Sequence, residues 1–342
     1  MPSKRTLDHT PTKPNNDPAE KPGPEELRAK FQAIDAKFKE LEENLHLYPK
    51  SQKEKETRRL MDDLFSALLL AQEAKLDQKT IRGLLRQTYQ IHGQSPFIRR
   101  LQEWPEGYPG DFRTIEMLVR GEGAGDPKTL NGQIGRLALE SDIAQQHREK
   151  LKIQSELIAQ ACSKHPQSTI ISVGCGSARE MLKNLPNIIQ TGMQIILVDS
   201  DPKALKAASK NLQPMGDNLT LVNLNIMRYK TLIKRLLSVN KNEVSLIYLG
   251  GLLDYFKEKP SKLLIKALST EILSSGGTIM FTNLAEKNPY QPWIEILANW
   301  VIIMRSRIEM LELLQATGLA QSQQKLNRDP TGLTWLAQAS KN

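Results

Sequence analysis

Apolar residues in the first quarter of the chain recur with the period of an α-helix. From Leu27 to Leu45 they stand alternately four and three residues apart, which predicts one helix with a single apolar stripe. Pro49 ends this pattern, and a longer leucine-rich helix follows. Asp77 is placed to cap a third helix. The pattern therefore predicts an all-helical domain over residues 25–95.

The apolar stripe of the first helix leaves two interpretations open. It can pack on its own domain, or it can form the interface of a homodimer through the N-terminal helices. We favour packing within the domain because the stripe spans only about three heptads. Residues 1–24, which precede it, are rich in Pro, Lys, Asp and Asn, and we expect them to be disordered.

The period changes from residue 166 onward, where β-branched apolar runs alternate with helical patterns. Five runs predict buried parallel strands at residues 169–173, 193–198, 219–222, 244–249 and 278–282. A last run at 334–337 predicts a final strand. Strands that alternate with helices indicate the α/β class, with a Rossmann-like sheet over residues 166–342.

Residues 96–165 connect these two predicted domains. They begin with a loop rich in proline and glycine, which also carries a tryptophan, Tyr108 and Asp111. Such a loop is either a binding loop on a stable scaffold or a structured linker around the packed tryptophan. A helix is predicted from about 133 to 161. Asn131, at the entrance of this helix, either contacts a ligand or, as we favour, caps the helix.

Charge and aromatic content narrow the classes of function. The formal net charge is +9, but the cationic residues are spread along the chain, and Phe, Trp and Tyr make up only 5% of it. The chain lacks a basic stripe with interleaved stacking aromatics, so we do not expect nucleic-acid binding. The positive charge is better suited to attracting an anionic small molecule.

The remaining composition excludes further classes. The two cysteines, Cys162 and Cys175, and the five scattered histidines show no metal-binding spacing, so we expect no metal site. No apolar run approaches the roughly 20 residues of a membrane span. The first residues lack the apolar segment of a secretory signal. We therefore expect a cytoplasmic protein that does not bind membranes.

The first predicted strand ends in a glycine turn, Gly174-Cys175-Gly176, which a helical pattern follows. Glycines let a ligand approach the backbone closely, and a helix start offers free N–H groups. The same turn also occurs without a ligand as a tight strand-to-helix connection. Asp199 and Ser200 follow the second strand, roughly 20 residues further on, where an α/β fold binds the two hydroxyls of a ribose. Together these residues predict a nucleotide-like ligand.

The order of these motifs resembles that of the class I S-adenosylmethionine (SAM) methyltransferases. Asn225 and Ile226 follow the third strand, where an amide and a backbone N–H can read the polar edge of an adenine. Arg179 stands where a GxGxxG motif has its last glycine, which favours SAM, a molecule without phosphates, over NAD. The chain departs from the resemblance at Ser172, where many members have an acid, and at Asn225, often an aspartate. The resemblance implies a Rossmann-like domain with SAM as co-substrate.

Three motifs in order give a narrower resemblance. They are GYPGDF at 107–112, SVGCGSARE at 172–180 and GGLLDYF at 250–256. They look like a bacterial subgroup that includes enzymes making fatty-acid methyl ester quorum signals, such as 3-hydroxypalmitate methyl ester, and related azetidine-2-carboxylate synthases. The resemblance covers roughly residues 95–315 and implies a role in secondary metabolism.

Further candidate residues stand where ligands bind in such sheets, beyond the carboxyl ends of the strands. Asp254 and Tyr255 follow the fourth strand, and Asn283 ends the fifth. Arg305 is predicted to share one helix with Trp300. It either pairs bidentately with a substrate carboxylate or forms a surface or interdomain salt bridge.

The catalytic candidates depend on the acceptor. A carboxylate is already nucleophilic at neutral pH and needs no strong base, which agrees with the lack of a histidine dyad. An amine or hydroxyl acceptor needs a base, and Asp111 or Asp254 would supply it. If SAM itself is cyclised, Tyr108, Tyr255 and Asn131 are candidates to hold it and to shield its sulfonium.

Three hypotheses of function follow. The first is a SAM-dependent methyltransferase that acts on a small molecule, a carboxylate in our interpretation. The second is a SAM-using cyclase, an azetidine-2-carboxylate synthase, which releases methylthioadenosine. The third is a SAM-binding fold retained as a non-catalytic protein that binds a partner through its N-terminal helices.

Overall fold

A computed structural model describes residues 22–342, which divide into two compact units. The first unit comprises the described residues up to Gln145 together with Lys287–Val301. The second comprises Gln146–Glu286 and Ile302–Asn342. Residues 1–21 of the predicted disordered tail lie outside the described residues.

The secondary structure consists of fourteen α-helices and seven strands within the described residues. The helices are α1 Pro24–Asn44, α2 Lys50–Glu73, α3 Gln78–Leu84, α4 Arg86–Gly93, α5 Pro96–Glu103, α6 Phe112–Arg120, α7 Leu130–Glu140, α8 Asp142–Lys164, α9 Leu185–Gln190, α10 Pro202–Asn211, α11 Tyr229–Val239, α12 Glu258–Ala267, α13 Gln291–Ile296 and α14 Arg307–Gln315. The strands are β1 Thr169–Val173, β2 Gln194–Asp199, β3 Leu219–Asn223, β4 Val244–Leu249, β5 Thr278–Leu284, β6 Gln324–Arg328 and β7 Thr334–Ser340. Short 3₁₀ segments are Leu45–Leu47, Arg179–Asn184, Gln213–Asn218, Leu253–Tyr255 and Gln321–Gln323, and Leu268–Ile272 is a π-helical turn.

Helix α1 follows its predicted pattern closely. It begins at Pro24, and its apolar stripe contacts α2 and α4 within the first unit. The residues of the stripe are all buried in the single chain: Leu27, Phe31, Ile34, Phe38, Leu41 and Leu45. This is the packing that the short stripe favours, and a homodimer through these helices stays a prediction. Asp77 caps α3 as expected, because its side chain accepts a hydrogen bond from the Thr80 amide.

The segment Lys287–Val301 belongs to the core of the helical unit. The ring of Phe65 on α2 packs against those of Tyr290 and Trp293, at centroid distances of 5.7 and 5.4 Å. Trp293 Nε1 donates to Nε2 of the buried His92, 3.3 Å away. Burial lowers the pKa of His92 to about 4, so its ring is neutral at physiological pH.

Two helices differ from the prediction. The single helix expected from about 133 to 161 is divided into α7 and α8 by Ser141, whose backbone is extended (φ −64°, ψ 157°) and whose hydroxyl donates to the Ala138 carbonyl. The expected helix holding both Trp300 and Arg305 is absent. Helix α13 ends at Ile296, and Asn299, three residues further on, takes a left-handed conformation (φ 53°) that a continuing helix does not allow.

The second unit is a seven-stranded sheet with the order β3-β2-β1-β4-β5-β7-β6. Strands β1 to β5 are parallel, and β7 runs antiparallel to both β5 and β6. The predicted α/β, Rossmann-like sheet with a helical N-terminal domain is confirmed. The strand order reverses between β1 and β4, and ligands of such sheets bind beyond the carboxyl ends of the strands at that point.

Apolar packing covers both faces of the sheet. On one face α11, α12 and α14 pack against it, and on the other α8 and α10 do. All residues of β1 and β4 are buried, as expected for central parallel strands. No helix within residues 22–342 combines the length and apolar character needed to cross a bilayer.

Candidate functional site

The predicted glycine turn closes tightly at the end of β1. Gly174 and Gly176 both have positive φ, at 72° and 53°, which side chains other than glycine rarely adopt. The amides of Gly174 and Cys175 both donate to the Val198 carbonyl, at 2.8 and 3.1 Å. A β-carbon on Gly174 would lie only 3.1 Å from a methyl carbon of Leu252. The turn therefore holds the ends of β1 and β2 together.

Asp199, the last residue of β2, contacts this turn through its side chain. Its Oδ2 accepts from the Gly176 amide and its Oδ1 from the Asp201 amide, each at 2.9 Å. Partial burial raises the pKa of Asp199, and these amides oppose the rise. A carboxylate oxygen can accept more than one hydrogen bond, so both oxygens retain capacity for a ligand's hydroxyls. Ser200, the neighbouring candidate, is exposed.

Cys175 is buried between the two glycines. Burial, followed by the charges of Asp199 and Glu180, raises the pKa of its thiol well above the usual value. The thiol therefore stays protonated and is a poor nucleophile. Any role of Cys175 in ligand binding therefore depends on its position in the glycine turn and not on a reactive thiol.

The end of β3 is tied to the end of β2 by Asn223, which sequence reasoning missed. Its Nδ2 donates to the carbonyls of Asp199 and Ser200, both at 3.1 Å. Asn225 is exposed and accepts from the Met227 amide through Oδ1 at 3.0 Å, while Ile226 is buried. The carboxyl ends of the first three strands thus meet at one place.

Asp254 lies in the turn after β4 and is 5% exposed. Its Oδ1 accepts from the Leu284 amide at 2.7 Å. Burial raises its pKa to about 6, against the opposing charges of Lys150 and Arg305. Tyr255, beside it, is 38% exposed. This end of the sheet therefore holds a carboxyl group that titrates near neutral pH.

Arg305 and Asn283 hold that turn in place. Arg305 is 2% exposed, and its guanidinium donates to the Leu253 carbonyl at 2.7 Å, to the Phe256 carbonyl and to Oδ1 of Asn283. The Nδ2 atom of Asn283 donates to two backbone carbonyls, at 2.9 and 2.8 Å. These contacts fix the turn after β4, and a substrate contact by either residue stays a prediction.

A buried carboxylate lies near Ser172 although the sequence has none there. Ser172 pairs in register with Tyr248 on β4, and the Tyr248 hydroxyl donates to Glu180 Oε1 at 2.6 Å. Burial and then the charge of Glu180 raise the pKa of Tyr248 well above its usual value. Glu180 comes from the 3₁₀ segment after the glycine turn. An acid at a different position in the sequence thus accompanies the departure at Ser172.

Three predicted site residues belong to the helical unit. Asp111 is 1% exposed and caps α6, with its Oδ1 accepting from the Arg113 and Thr114 amides and from Arg100 Nη2, the last at 2.6 Å. Tyr108 is half-buried in the same loop. Asn131 is in the first turn of α7, where the N-cap that we expected it to form is made by Thr129.

Comparison with known proteins supports the fold alone. No family model matches the chain, and neither does any curated protein. A crystal structure from Bordetella parapertussis, described as a "possible exported protein", is 17% identical, with 68% of this chain and 79% of that chain aligned at a TM-score of 0.52. A "putative methyltransferase" from Thermobifida fusca YX is 13% identical, with 67% and 93% aligned at a TM-score of 0.50. The chain therefore shares the Rossmann-like α/β fold of these two structures.

Proposed function

We propose that this chain is a SAM-dependent methyltransferase that acts on a small-molecule carboxylate. The observation that carries the proposal is the Asp199 carboxylate at the carboxyl end of β2, the strand beside β1, where the strand order reverses. It is fixed by the Gly176 and Asp201 amides and keeps capacity to accept hydrogen bonds from two ribose hydroxyls.

The other residues at these strand ends suit the same ligand. The glycine turn offers close backbone approach, and it lacks the third glycine of a pyrophosphate-binding motif. Asn225 and Ile226 follow β3, and we infer that they contact the adenine edge. SAM, when bound, supplies a methyl group already activated by the sulfonium. The protein's task is then to align the acceptor and exclude water.

A carboxylate acceptor agrees with the lack of a well-placed general base among the candidate residues. Asp111 caps α6 and pairs with Arg100, so it is poorly suited to accept a proton from a substrate. Asp254 is the remaining candidate base, and it is buried. A carboxylate needs neither group to become nucleophilic. The narrower resemblance to fatty-acid methyl ester synthases points to the same acceptor class.

Cyclisation of SAM is the second candidate, and Asp254 is the observation that favours it. Intramolecular attack by the SAM amine first requires that the amine lose a proton. A buried carboxyl group with a pKa of about 6 is near the range that suits a general base at neutral pH. Methyl transfer to a carboxylate would leave this feature unused.

Incubation of the purified protein with SAM alone, followed by mass spectrometry, separates these two functions. Methylthioadenosine with azetidine-2-carboxylate, above the uncatalysed background, would establish the cyclase. Intact SAM keeps methyl transfer as the proposal. The next step is then a screen of 3-hydroxy fatty acids and other carboxylates for release of S-adenosylhomocysteine.

Calorimetric titration of Asp199→Ala with SAM tests the pocket. Loss of hydrogen bonds to a charged group is expected to weaken binding about 10- to 100-fold. Asp217→Ala, which removes an exposed carboxylate from the same unit, serves as the matched control and should bind normally. Unchanged affinity in Asp199→Ala would remove the basis for this pocket. A wild-type protein that binds no SAM would favour the partner-binding hypothesis.

A further inference from the structure

Two polar side chains of α8 reach the turn after β4, and neither has been assigned a role above. Lys150 and Gln154 are one helical turn apart, so they share one face of the helix. They are 5% and 3% exposed. A β-carbon built on Gly251 would lie 2.7 Å from Lys150 Nζ, and one on Gly250 would lie 1.8 Å from Gln154 Nε2. The glycine pair therefore leaves room for both side chains at the carboxyl end of β4.

The Lys150 side chain is largely withdrawn from water, at 5% exposure of the residue. Among residues 22–342 it makes neither a hydrogen bond nor an ion pair, and the amide of Gln154 makes no hydrogen bond there. Asp254 and Asp329 attract the ammonium only from a distance, while burial lowers the pKa of Lys150. An ammonium held in such poorly solvated surroundings interacts favourably with a close anion, so an anionic group from outside the chain could pair with it.

We propose that Lys150 and Gln154 together bind a carboxylate group above the Gly250-Gly251 turn. The proposal rests on the proposed function, because this turn belongs to the same strand ends as Asp199. An ammonium and an amide N–H₂ are donors that a carboxylate accepts, and the charged pair forms the stronger bond. Asp254 borders the same position, because its Oδ2 lies 3.6 Å from a β-carbon built on Gly251.

Two carboxylates could occupy this position. One is the carboxylate of SAM's own amino-acid end, and the other is the carboxylate of a separate acceptor. Both have the same chemistry towards Lys150, so the experiment must separate the two sources.

Calorimetric titration of wild type and Lys150→Met with SAM and with decarboxylated SAM provides the first arm. If the SAM carboxylate is bound, wild type binds decarboxylated SAM roughly tenfold or more weakly than SAM, and Lys150→Met no longer distinguishes the two ligands. Lys152→Met is the matched control, because Lys152 lies on the same helix but is exposed.

Titration with acetate and with 3-hydroxyhexadecanoate, in the presence of S-adenosylhomocysteine, provides the second arm. If an acceptor carboxylate is bound, Lys150→Met binds SAM normally but binds the acid roughly tenfold or more weakly than wild type. Normal affinity of Lys150→Met for SAM, combined with no acid whose binding depends on Lys150, overturns the proposal. So does an equal loss in Lys152→Met.

Gln154→Glu provides a readout that does not depend on the stability of Lys150→Met. The new carboxylate would pair with the buried ammonium, so we expect a higher melting temperature together with weaker carboxylate binding. A lower melting temperature with unchanged ligand affinity would show a purely structural role and contradict the proposal. If wild type binds no SAM, the proposed function fails, and the acid titrations on the free protein still test this site.

Discussion

At the scale of single residues, burial decides what a carboxyl group can do. Asp254 and Asp111 are both nearly inaccessible to water, but their partners differ. The Asp111 carboxylate accepts hydrogen bonds from Arg100 and from two backbone amides at the start of α6. The Asp254 side chain accepts a hydrogen bond from a single backbone amide. The contacts of Asp111 serve the helix start, while Asp254 can change its protonation state near neutral pH.

The titration of Asp254 predicts a pH-dependent stability. Its pKa rises from 3.8 to about 6 on folding, so between these values the folded chain binds more protons than the unfolded chain. Stability from this group is therefore complete below about pH 4 and is lost as the pH rises through about 6, by on the order of 3 kcal/mol. The measurement is the difference in melting temperature between wild type and Asp254→Asn from pH 4 to 7. A constant difference across this range would contradict the prediction.

Asp111→Ala is expected to destabilise the helical unit by about 3 kcal/mol, since it removes the cap of α6 and leaves Arg100 without its closest anion. Urea unfolding followed by fluorescence measures the loss. Asp111→Asn keeps an oxygen that can cap the helix, so it should lose less. A variant Asp111→Ala with normal stability but no turnover would instead support the catalytic role suggested by the sequence.

Local sequence pattern predicts some of these residues and misses others for a physical reason. Gly174 and Asp199 are found because each directly ends a buried strand, so their position follows from the strand itself. The positions of Lys150 and Glu180 relative to the strand ends depend on how α8 and a 3₁₀ segment pack on the sheet. A short-range sequence pattern does not predict this packing. The sequence did contain one signal that Lys150 and Gln154 are buried: they lie eight and four residues before Ile158, on the same buried face of the helix.

At the scale of elements, the space around each helix determines which residues it accepts. Gly83 in α3 and Gly132 in α7 both lie in helices, yet their surroundings are opposite. A β-carbon on Gly83 would meet nothing within 4 Å, whereas one on Gly132 would lie 1.8 Å from the Asp126 carbonyl oxygen. The loop before α7 therefore packs directly on the helix backbone.

This contrast predicts opposite effects for the same substitution. Gly83→Ala is expected to stabilise the helical unit by up to about 1 kcal/mol, because alanine favours the helix. Gly132→Ala is expected to destabilise it by about 2 kcal/mol or more, because the Asp126 backbone must move. Thermal unfolding of the two variants beside wild type checks both signs. Equal shifts would mean that the loop does not pack on α7 as described.

Strand β6 shows the limit of prediction at this scale. Its sequence, QKLNR, is polar and largely exposed, so it lacks the apolar run that marks β1 to β5. It is held by its antiparallel pairing with β7 at the edge of the sheet. The division between α7 and α8 was missed for a related reason, because a single extended residue at Ser141 does not interrupt the apolar period.

At the scale of the whole molecule, the helical unit is built from two separate parts of the chain. The fifteen residues Lys287–Val301 leave the sheet unit after β5 and contribute Trp293, which is 4% exposed, to the helical core. Gln102 Nε2 on α5 also donates to the Leu297 carbonyl, at 2.7 Å. This late segment therefore supplies part of the core of the helical unit.

Trp293→Ala tests that dependence. Removal of a buried tryptophan is expected to destabilise the helical unit by about 3–5 kcal/mol. Tryptophan fluorescence during urea unfolding is a suitable probe, since Trp104, Trp293 and Trp300 all belong to this unit and only Trp335 belongs to the other. Leu47→Ala, at a position 70% exposed, is the control and should have little effect. A small loss in Trp293→Ala would mean that helices α1 to α7 suffice.

The discontinuous helical unit also constrains the order of events during synthesis. On the ribosome, α1 to α7 emerge long before residues 287–301, so their exposed core must wait while most of the other unit is translated. Strands β6 and β7 emerge later still, after that segment. Neither unit can complete its fold before residue 301 is made. Apolar core residues of the nascent chain therefore stay exposed to solvent for most of its synthesis. Chaperones that bind exposed apolar segments can act during this period.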